Sequence, residues 1–457
     1  MTVIRAKQAL TARGWENDVL ISINPDGRIS SIKDAGTGSD PDTIQVGALV
    51  PAPANSHSHA FQRAMAGLTE KRGDSPTDSF WTWRQLMYRF LDALTPDQVE
   101  AIAALVQMEM LEAGYATNVE FHYLHHQPDG QPYDNPAEMA ERICAAAATS
   151  GIGLTLLPVQ YQFGGCDQRP LGPGQRRFGN DPDRYADLLE GSQTAISQLP
   201  PDRVLGVAPH SLRALSQQSL KAVAALRPDG PVHLHLAEQI PEVEEVQAHW
   251  GARPVEWALD NLVLDQRWCL IHITQMTAQE TKTLARTGSV AGLCPLTEAS
   301  LGDGIFDGVH WMQSGGRISV GSDSNIRISL AEELRQLDTS QRLRDHSRAA
   351  LATAEQSTGR RLLEAVSVGG AQAAGRGSGW IETGQWADLL ALDLDHLDLA
   401  GLRGDTILDS FVFAGDSRCV QHVWSAGRHM VRNGRHIRRD QIARAYRKAV
   451  APLRDGL

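Results

Sequence analysis

Through the middle of the chain, short apolar runs alternate with longer amphipathic stretches, while both ends are broken up at strand length. Val19-Leu20-Ile21-Ser22-Ile23 and Ile29-Ser30-Ser31-Ile32 flank Asn24-Pro25-Asp26-Gly27, the turn chemistry of a hairpin. Near the other end, Ala387 to Leu392 follows Gly384, and Val420 to Ala426 is separated from His429-Met430-Val431 by Gly427-Arg428. Asn433-Gly434 makes another turn, and Gln441 to Leu453 reads as a closing amphipathic helix. The ends therefore predict one small β-sandwich domain built from both termini, residues 1–48 and 381–457.

The middle alternates differently. Asp97 to Ala113 is helical, started by Thr95-Pro96 and stopped by Gly114, and Pro136 to Ser150 is a second helix. Strand-like runs occur at Ala48–Pro53, Ala116–Phe121, Gly153–Leu157, Val204–Ala208, Val232–Leu236, Trp268–Ile273, Ser289–Leu293 and Arg317–Ser322. Eight strands alternating with helices predict an α/β fold, a (β/α)8 TIM-like barrel over residues 49–380. The Gly- and Pro-rich stretch Gln162 to Pro182 reads as a long loop near a substrate.

Composition narrows the partners. The net charge is −11 with no basic cluster, which argues against nucleic acid. The five cysteines are scattered and form no C-x-x-C, as expected of a reducing cytoplasm rather than a disulfide frame or a cysteine zinc site. No apolar run of about 18 residues is present, so no membrane span is expected. Met1 to Asp18 lacks an apolar core of signal-peptide length. A cytoplasmic homodimer is the expectation, since twofold assemblies are the commonest.

The candidate chemistry collects at predicted strand ends, where barrels place their active sites. His57 and His59, in Asn55-Ser56-His57-Ser58-His59, alternate onto one face after the first strand. His233-Leu234-His235-Leu236-Ala237-Glu238 ends the fifth strand, Ile271-His272 the sixth, and Ser322-Asp323-Ser324-Asn325 the eighth. Imidazoles and a carboxylate suit Zn²⁺ or Fe²⁺ with a position open for water. His233 and His235 share a face, and alternation does not separate them. His122, His125 and His126 read as a polar strand exit.

On His57-Ser58-His59, His235-Leu236-Ala237-Glu238, His272 and Asp323 the sequence resembles the amidohydrolase superfamily, in its aminohydrolase (deaminase) branch. Gly384-Gln385-Trp386-Ala387-Asp388-Leu389 is similar to that family's return into its small β domain. The resemblance implies a metal held by His57, His59, His235 and Asp323, with Asp323 also taking a proton from water. It implies Glu238 as proton shuttle and His272 as the group polarising the water or stabilising the adduct; a fourth imidazole ligand is the other reading of His272. Relatives with two metals carry a bridging lysine on the fourth strand, and Val204 to His210 has none. One Zn²⁺ per subunit is therefore expected, with Fe²⁺ sharing the ligand set.

Three stretches sharpen the resemblance: Ser56 to Arg63, Phe80-Trp81-Thr82-Trp83-Arg84 and Pro209-His210-Ser211-Leu212-Arg213. They are similar to the branch members that hydrolyse N-formimidoyl-L-glutamate to N-formyl-L-glutamate and ammonia in histidine degradation. This implies a small dicarboxylate substrate gripped by the arginine forks of Arg84 and Arg213. Gln62, Tyr123 and His210 would bond its remaining polar atoms. As plain structural residues, Arg84 would stack beside Trp83 and Arg213 would open a surface helix. Rival readings are a guanine-, cytosine- or triazine-type deaminase or chlorohydrolase of the same branch, and a scaffold without chemistry, which would lack metal ligands.

Overall fold

The computed structural model describes residues 1–36, 41–70 and 80–455. Eight parallel strand positions close into a barrel. Ala54–Ser58, Thr117–His122, Gly153–Gln160 and Val204–Leu205 pair in that order. Val232–Leu236, Trp268–His272, Val290–Leu293 and Arg317–Val320 form the other half. The halves join through the bridges Val207 to Val232 and Ser211 to His235 on one side and Ser58 to Asp323 on the other. Gly153–Gln160, Val232–Leu236 and Trp268–His272 are buried at every residue. This is the mark of parallel strands covered on both faces.

Two of these strands differ from the sequence expectation. The run from Ala48 is not the first barrel strand. It belongs to Ile44–Pro51, which pairs parallel with Thr2–Thr11 and antiparallel with Leu389–Leu392. The chain crosses to the barrel at Pro51-Ala52-Pro53, and Ala54–Ser58 opens the barrel instead. Prolines donate no ladder hydrogen bond, so the run breaks there into two strands. The fourth strand is also split, into Val204–Leu205 and Ala208–Pro209. At Gly206 a Cβ would lie 2.5 Å from Pro231 O, so the close approach of neighbouring backbone excludes a side chain.

The second sheet draws on both ends of the chain. Its order is Arg435–His436, Arg428–Arg432, Val420–Ser425, Leu389–Leu392, Ile44–Pro51, Thr2–Thr11, Gly14–Ile23, Ile29–Asp34. The hairpin of Gly14–Ile23 and Ile29–Asp34 is the one its turn residues predict. Thr2–Thr11 carries Arg5 and Lys7 and is not apparent as a strand from its pattern. Leu389 and Ala391 face the core of this β-sandwich, while Leu390 and Leu392 face the main core under the barrel helices. One strand thus serves two cores by simple alternation.

A buried ion cluster ties the sheet to the barrel. Arg376 Nε lies 2.6 Å from Asp388 Oδ2, and one of its terminal nitrogens lies 2.8 Å from Asp202 Oδ2. Arg428 reaches the same Asp202 at 2.7 Å. The helix Pro96–Glu112 begins in the capping box of Thr95 and Gln98, with Pro96 as its first residue. Among the described residues, no helix is long and apolar enough to cross a membrane.

Candidate metal centre and active site

The strands hand the chain to the site through unusual backbone. Ala237, His272, Ile273 and Asp323 have φ of +50°, +70°, +43° and +43°. Side-chain-bearing residues seldom adopt this left-handed region, and here they cluster where strands five, six and eight end.

Three imidazoles and one carboxylate converge there. The Nε2 atoms of His57 and His235 are 3.1 Å apart. Asp323 Oδ1 lies 3.2 Å from His59 Nε2 and 3.4 Å from His57 Nε2. Donor atoms of all four residues fall within 4.8 Å of one another, and all four residues are buried. The second nitrogens of His59 and His235 are already committed. His59 Nδ1 donates to Phe121 O at 3.0 Å and His235 Nδ1 to His210 O at 3.1 Å. A ring that donates from Nδ1 presents a lone pair at Nε2, so the lone pairs face one another. Burial drives His57 and His235 well below the usual imidazole range, which keeps them neutral. Converging lone pairs beside a carboxylate repel one another without a cation, and the donor set fits a divalent ion.

Beside the cluster sits a buried carboxyl group, Glu238. Burial raises the Glu238 carboxyl to about 7, against the pull of His272. The backbone N–H groups of Ala237 and Glu238 donate to the Glu242 carboxylate at 3.2 and 2.9 Å, holding the turn that aims Glu238. His272 Nε2 lies 3.7 Å from Glu238 Oε1, and its Nδ1 lies 3.1 Å from Glu298 Oε1. Burial pulls the His272 imidazole down, but Glu238, Glu298 and Asp323 together lift it to about 10.

A cavity of about 550 Å³, counted with its open mouth, lies over these groups. Gln62, Tyr123, His210 and Arg213 all line it. Gln62 Nε2 donates to the Tyr123 hydroxyl at 2.8 Å. The His210 ring stacks on His235 with centroids 5.0 Å apart. Arg213 is buried at 6% exposure, so it does not open a surface helix. The side chain of Arg84 lies outside the described residues.

The structure separates the histidines that alternation left open. His235 joins the cluster, while His233 Nε2 lies 2.8 Å from Ala373 O. Two residues back along a strand is about 6–7 Å deeper in the barrel, too far for one ion. His125 and His126 meet backbone carbonyls, Val159 O at 3.0 Å and Gly179 O at 2.9 Å, and His122 is buried. Four acidic groups of the site were not apparent from the sequence: Glu120, Glu242, Glu298 and Asp303. Glu120 accepts the Ala60 N–H at 2.7 Å, and burial raises it to about 7. Asp303 places a carboxylate oxygen within 4.8 Å of Glu238 and His272 donor atoms. Glu242 and Glu298 share one faint signal, an acidic residue in the first turn of a helix with a proline at its start.

A family model described as "Amidohydrolase family" matches residues 48–430, and the chain belongs to that family. A second model, "Formimidoylglutamate deiminase HutF, N-terminal domain", matches residues 1–43. The chain is 46% identical to the formimidoylglutamate deiminase of Pseudomonas aeruginosa over 457 residues, all of both chains. The crystal structure of an amidohydrolase from Brucella melitensis superposes with a TM-score of 0.95 at 47% identity, covering 99% of this chain and 100% of that one. An adenosine deaminase from Xanthomonas campestris, solved with bound zinc, shares the fold: TM-score 0.82, 21% identity, coverage 99% and 98%.

Proposed function

We infer that this enzyme hydrolyses N-formimidoyl-L-glutamate to N-formyl-L-glutamate and ammonia. The observation that carries the reading is a cationic residue, Arg213, lining the same cavity as the His–Asp cluster and Glu238. It stands in a chain that is 46% identical, end to end, to an enzyme named for that reaction. A buried guanidinium beside a polar Gln62–Tyr123 pair suits a dicarboxylate better than a flat neutral base.

His57, His59, His235 and Asp323 would hold the metal; one Zn²⁺ per chain is proposed, and Fe²⁺ matches the same donors. When bound, such an ion lowers the pKa of its water towards neutrality. Asp323 takes a proton from the attacking water. Its oxygen adds to the amidine carbon while Glu238 gives its proton to the imino nitrogen. His272 Nε2–H donates to the oxygen of the tetrahedral adduct. The adduct's hydroxyl proton then passes through the ionised Glu238 to the amino nitrogen, the carbon–nitrogen bond breaks to give ammonia and formylglutamate, and Asp323 returns its proton to Glu238 to restore the starting state. Arg213 and Arg84 grip the two carboxylates, and Gln62, Tyr123 and His210 bond the remaining polar atoms. A cytoplasmic homodimer acting in histidine breakdown is part of the same proposal, and solution scattering would measure the assembly.

The test is ammonia release from N-formimidoyl-L-glutamate, N-formimidoyl-L-aspartate, guanine and cytosine. Turnover of the glutamate compound with discrimination against its shorter analogue is expected. Turnover of a base without turnover of formimidoylglutamate would end the reading.

A further inference from the structure

The exit of the seventh barrel strand carries none of the residues assigned a part in the reaction. Its short helix Pro295–Leu301 nonetheless braces both neighbours. Thr297 Oγ1 donates to Ser322 O at 3.3 Å and lies 3.0 Å from Ser324 Oγ, the residues that flank Asp323. Glu298 faces the other way. Its Oε1 accepts the Cys294 N–H at 2.8 Å and lies 3.1 Å from His272 Nδ1.

His272 needs such a brace. With φ of +70° there and +43° at Ile273, the extended ladder ends at this residue and does not dictate where the ring points. A carboxylate at Nδ1 keeps the hydrogen on that nitrogen and turns Nε2 the other way, to within 3.7 Å of Glu238 Oε1. The Cys294 N–H in turn keeps the carboxylate in place, because one oxygen serves both donors. Glu298 is 5% exposed and is not among the residues that line the cavity.

We propose that Glu298 is a positioning residue, whose hydrogen bond from Nδ1–H sets the orientation of the His272 ring and so presents Nε2–H to the reacting centre. The proposal rests on the deiminase reading above for what the reacting centre is, but the hydrogen bond can be observed without it.

The experiment compares wild type, Glu298→Ala, Glu298→Gln, His272→Asn and the double variant with Glu298→Ala. Ammonia release from formimidoylglutamate, bound metal and imidazole N–H resonances of ¹⁵N-histidine-labelled protein are measured. Glu298→Ala should lower kcat roughly 10–100-fold, the usual cost of losing an orienting partner, with KM and metal content nearly unchanged. Glu298→Gln keeps an acceptor oxygen and should recover most of that loss. In the His272→Asn background Glu298→Ala should cost nothing further. An Nδ1–H resonance lost in His272→Asn should also be lost in Glu298→Ala and shifted upfield in Glu298→Gln. Equal loss of rate in both backgrounds, a fall in bound metal that accounts for the rate, or a resonance indifferent to Glu298 would overturn the proposal. If Glu298→Ala does not fold, the resonance in Glu298→Gln decides. Wild type inactive on formimidoylglutamate, with the resonance behaving as expected, would sink the substrate reading alone.

Discussion

The backbone N–H of His59 donates to the carbonyl of Asp323 at 2.9 Å, and the side chains of the same two residues meet at 3.2 Å. The Asp323 N–H returns a bond to His57 O at 3.0 Å. The seam that closes the barrel, first strand to eighth, is therefore also the wall of the candidate metal centre. Asn55 and Ser322 cross the same seam, with Asn55 Nδ2 donating to Ser322 Oγ at 2.7 Å. Metal binding and barrel closure should be coupled.

Removing the metal should thus cost stability as well as activity. A bound ion at a thousand times its dissociation constant adds about 4 kcal/mol. Chelator-treated protein should lose ammonia release and melt at lower temperature in calorimetry, with both restored by Zn²⁺. Unchanged melting after complete metal removal would contradict the coupling.

Gly321 adjoins this seam. A Cβ there would lie 2.5 Å from His57 N and 2.7 Å from His57 O. Backbone cannot yield as a flexible side chain does, so Gly321→Ala must displace His57. Overpacking of this kind costs about 1–3 kcal/mol. Weaker metal retention on dialysis is expected; wild-type retention would show that the seam tolerates the shift.

Arg213 should act on substrate rather than on the fold. A hydrogen bond to a charged group contributes about 1.5–3 kcal/mol, so Arg213→Met should lower kcat/KM for formimidoylglutamate roughly 10–100-fold. Steady-state kinetics on Arg84→Met would measure its partner. Full activity in both variants would rule out carboxylate recognition by these forks.

Glu238 sets a pH limit. The proposed mechanism needs its protonated form, and burial raises its pKa to about 7. The acid is therefore present below that value and lost above it. The log of kcat/KM should fall with a slope of about one per pH unit on the alkaline side, and Glu238→Gln should abolish turnover. A rate that keeps rising through pH 8 would exclude Glu238 as the acid.

Arg376 should be a stability residue without a role in turnover. Removing one partner of a buried ion pair costs about 3–5 kcal/mol, so Arg376→Leu should lower the urea midpoint. Burial works against the Asp202 carboxylate, but Arg428 and Arg376 hold it below the usual range. A depressed folded-state pKa means its stabilisation is present above the ordinary carboxylate value. It is lost as pH falls through the lower, folded one. Acid titration of the Arg376→Leu variant should show a shallower loss of stability than wild type.

By itself, the order of residues along the chain determined the alternation of strands and helices and the two-ended small sheet, and it nominated the His and Asp side chains that the fold brings together. These are local facts: turn chemistry at Asn24 to Gly27, a His-x-His pair, a His-x-x-Glu pair. Where a strand belonged was decided by tertiary structure, since an apolar run such as Ala48 to Val50 reads the same in either sheet. Strand alternation left His233 and His235 on one face; the His-x-x-Glu spacing favoured His235, and the folded depth of each residue agrees. Glu120 and Asp303 gave no signal beforehand, and Glu242 and Glu298 gave only their place in a helix's first turn, for one reason. A carboxylate in a sequence looks like solvent-facing charge, and only packing reveals that these four are buried beside the groups they touch.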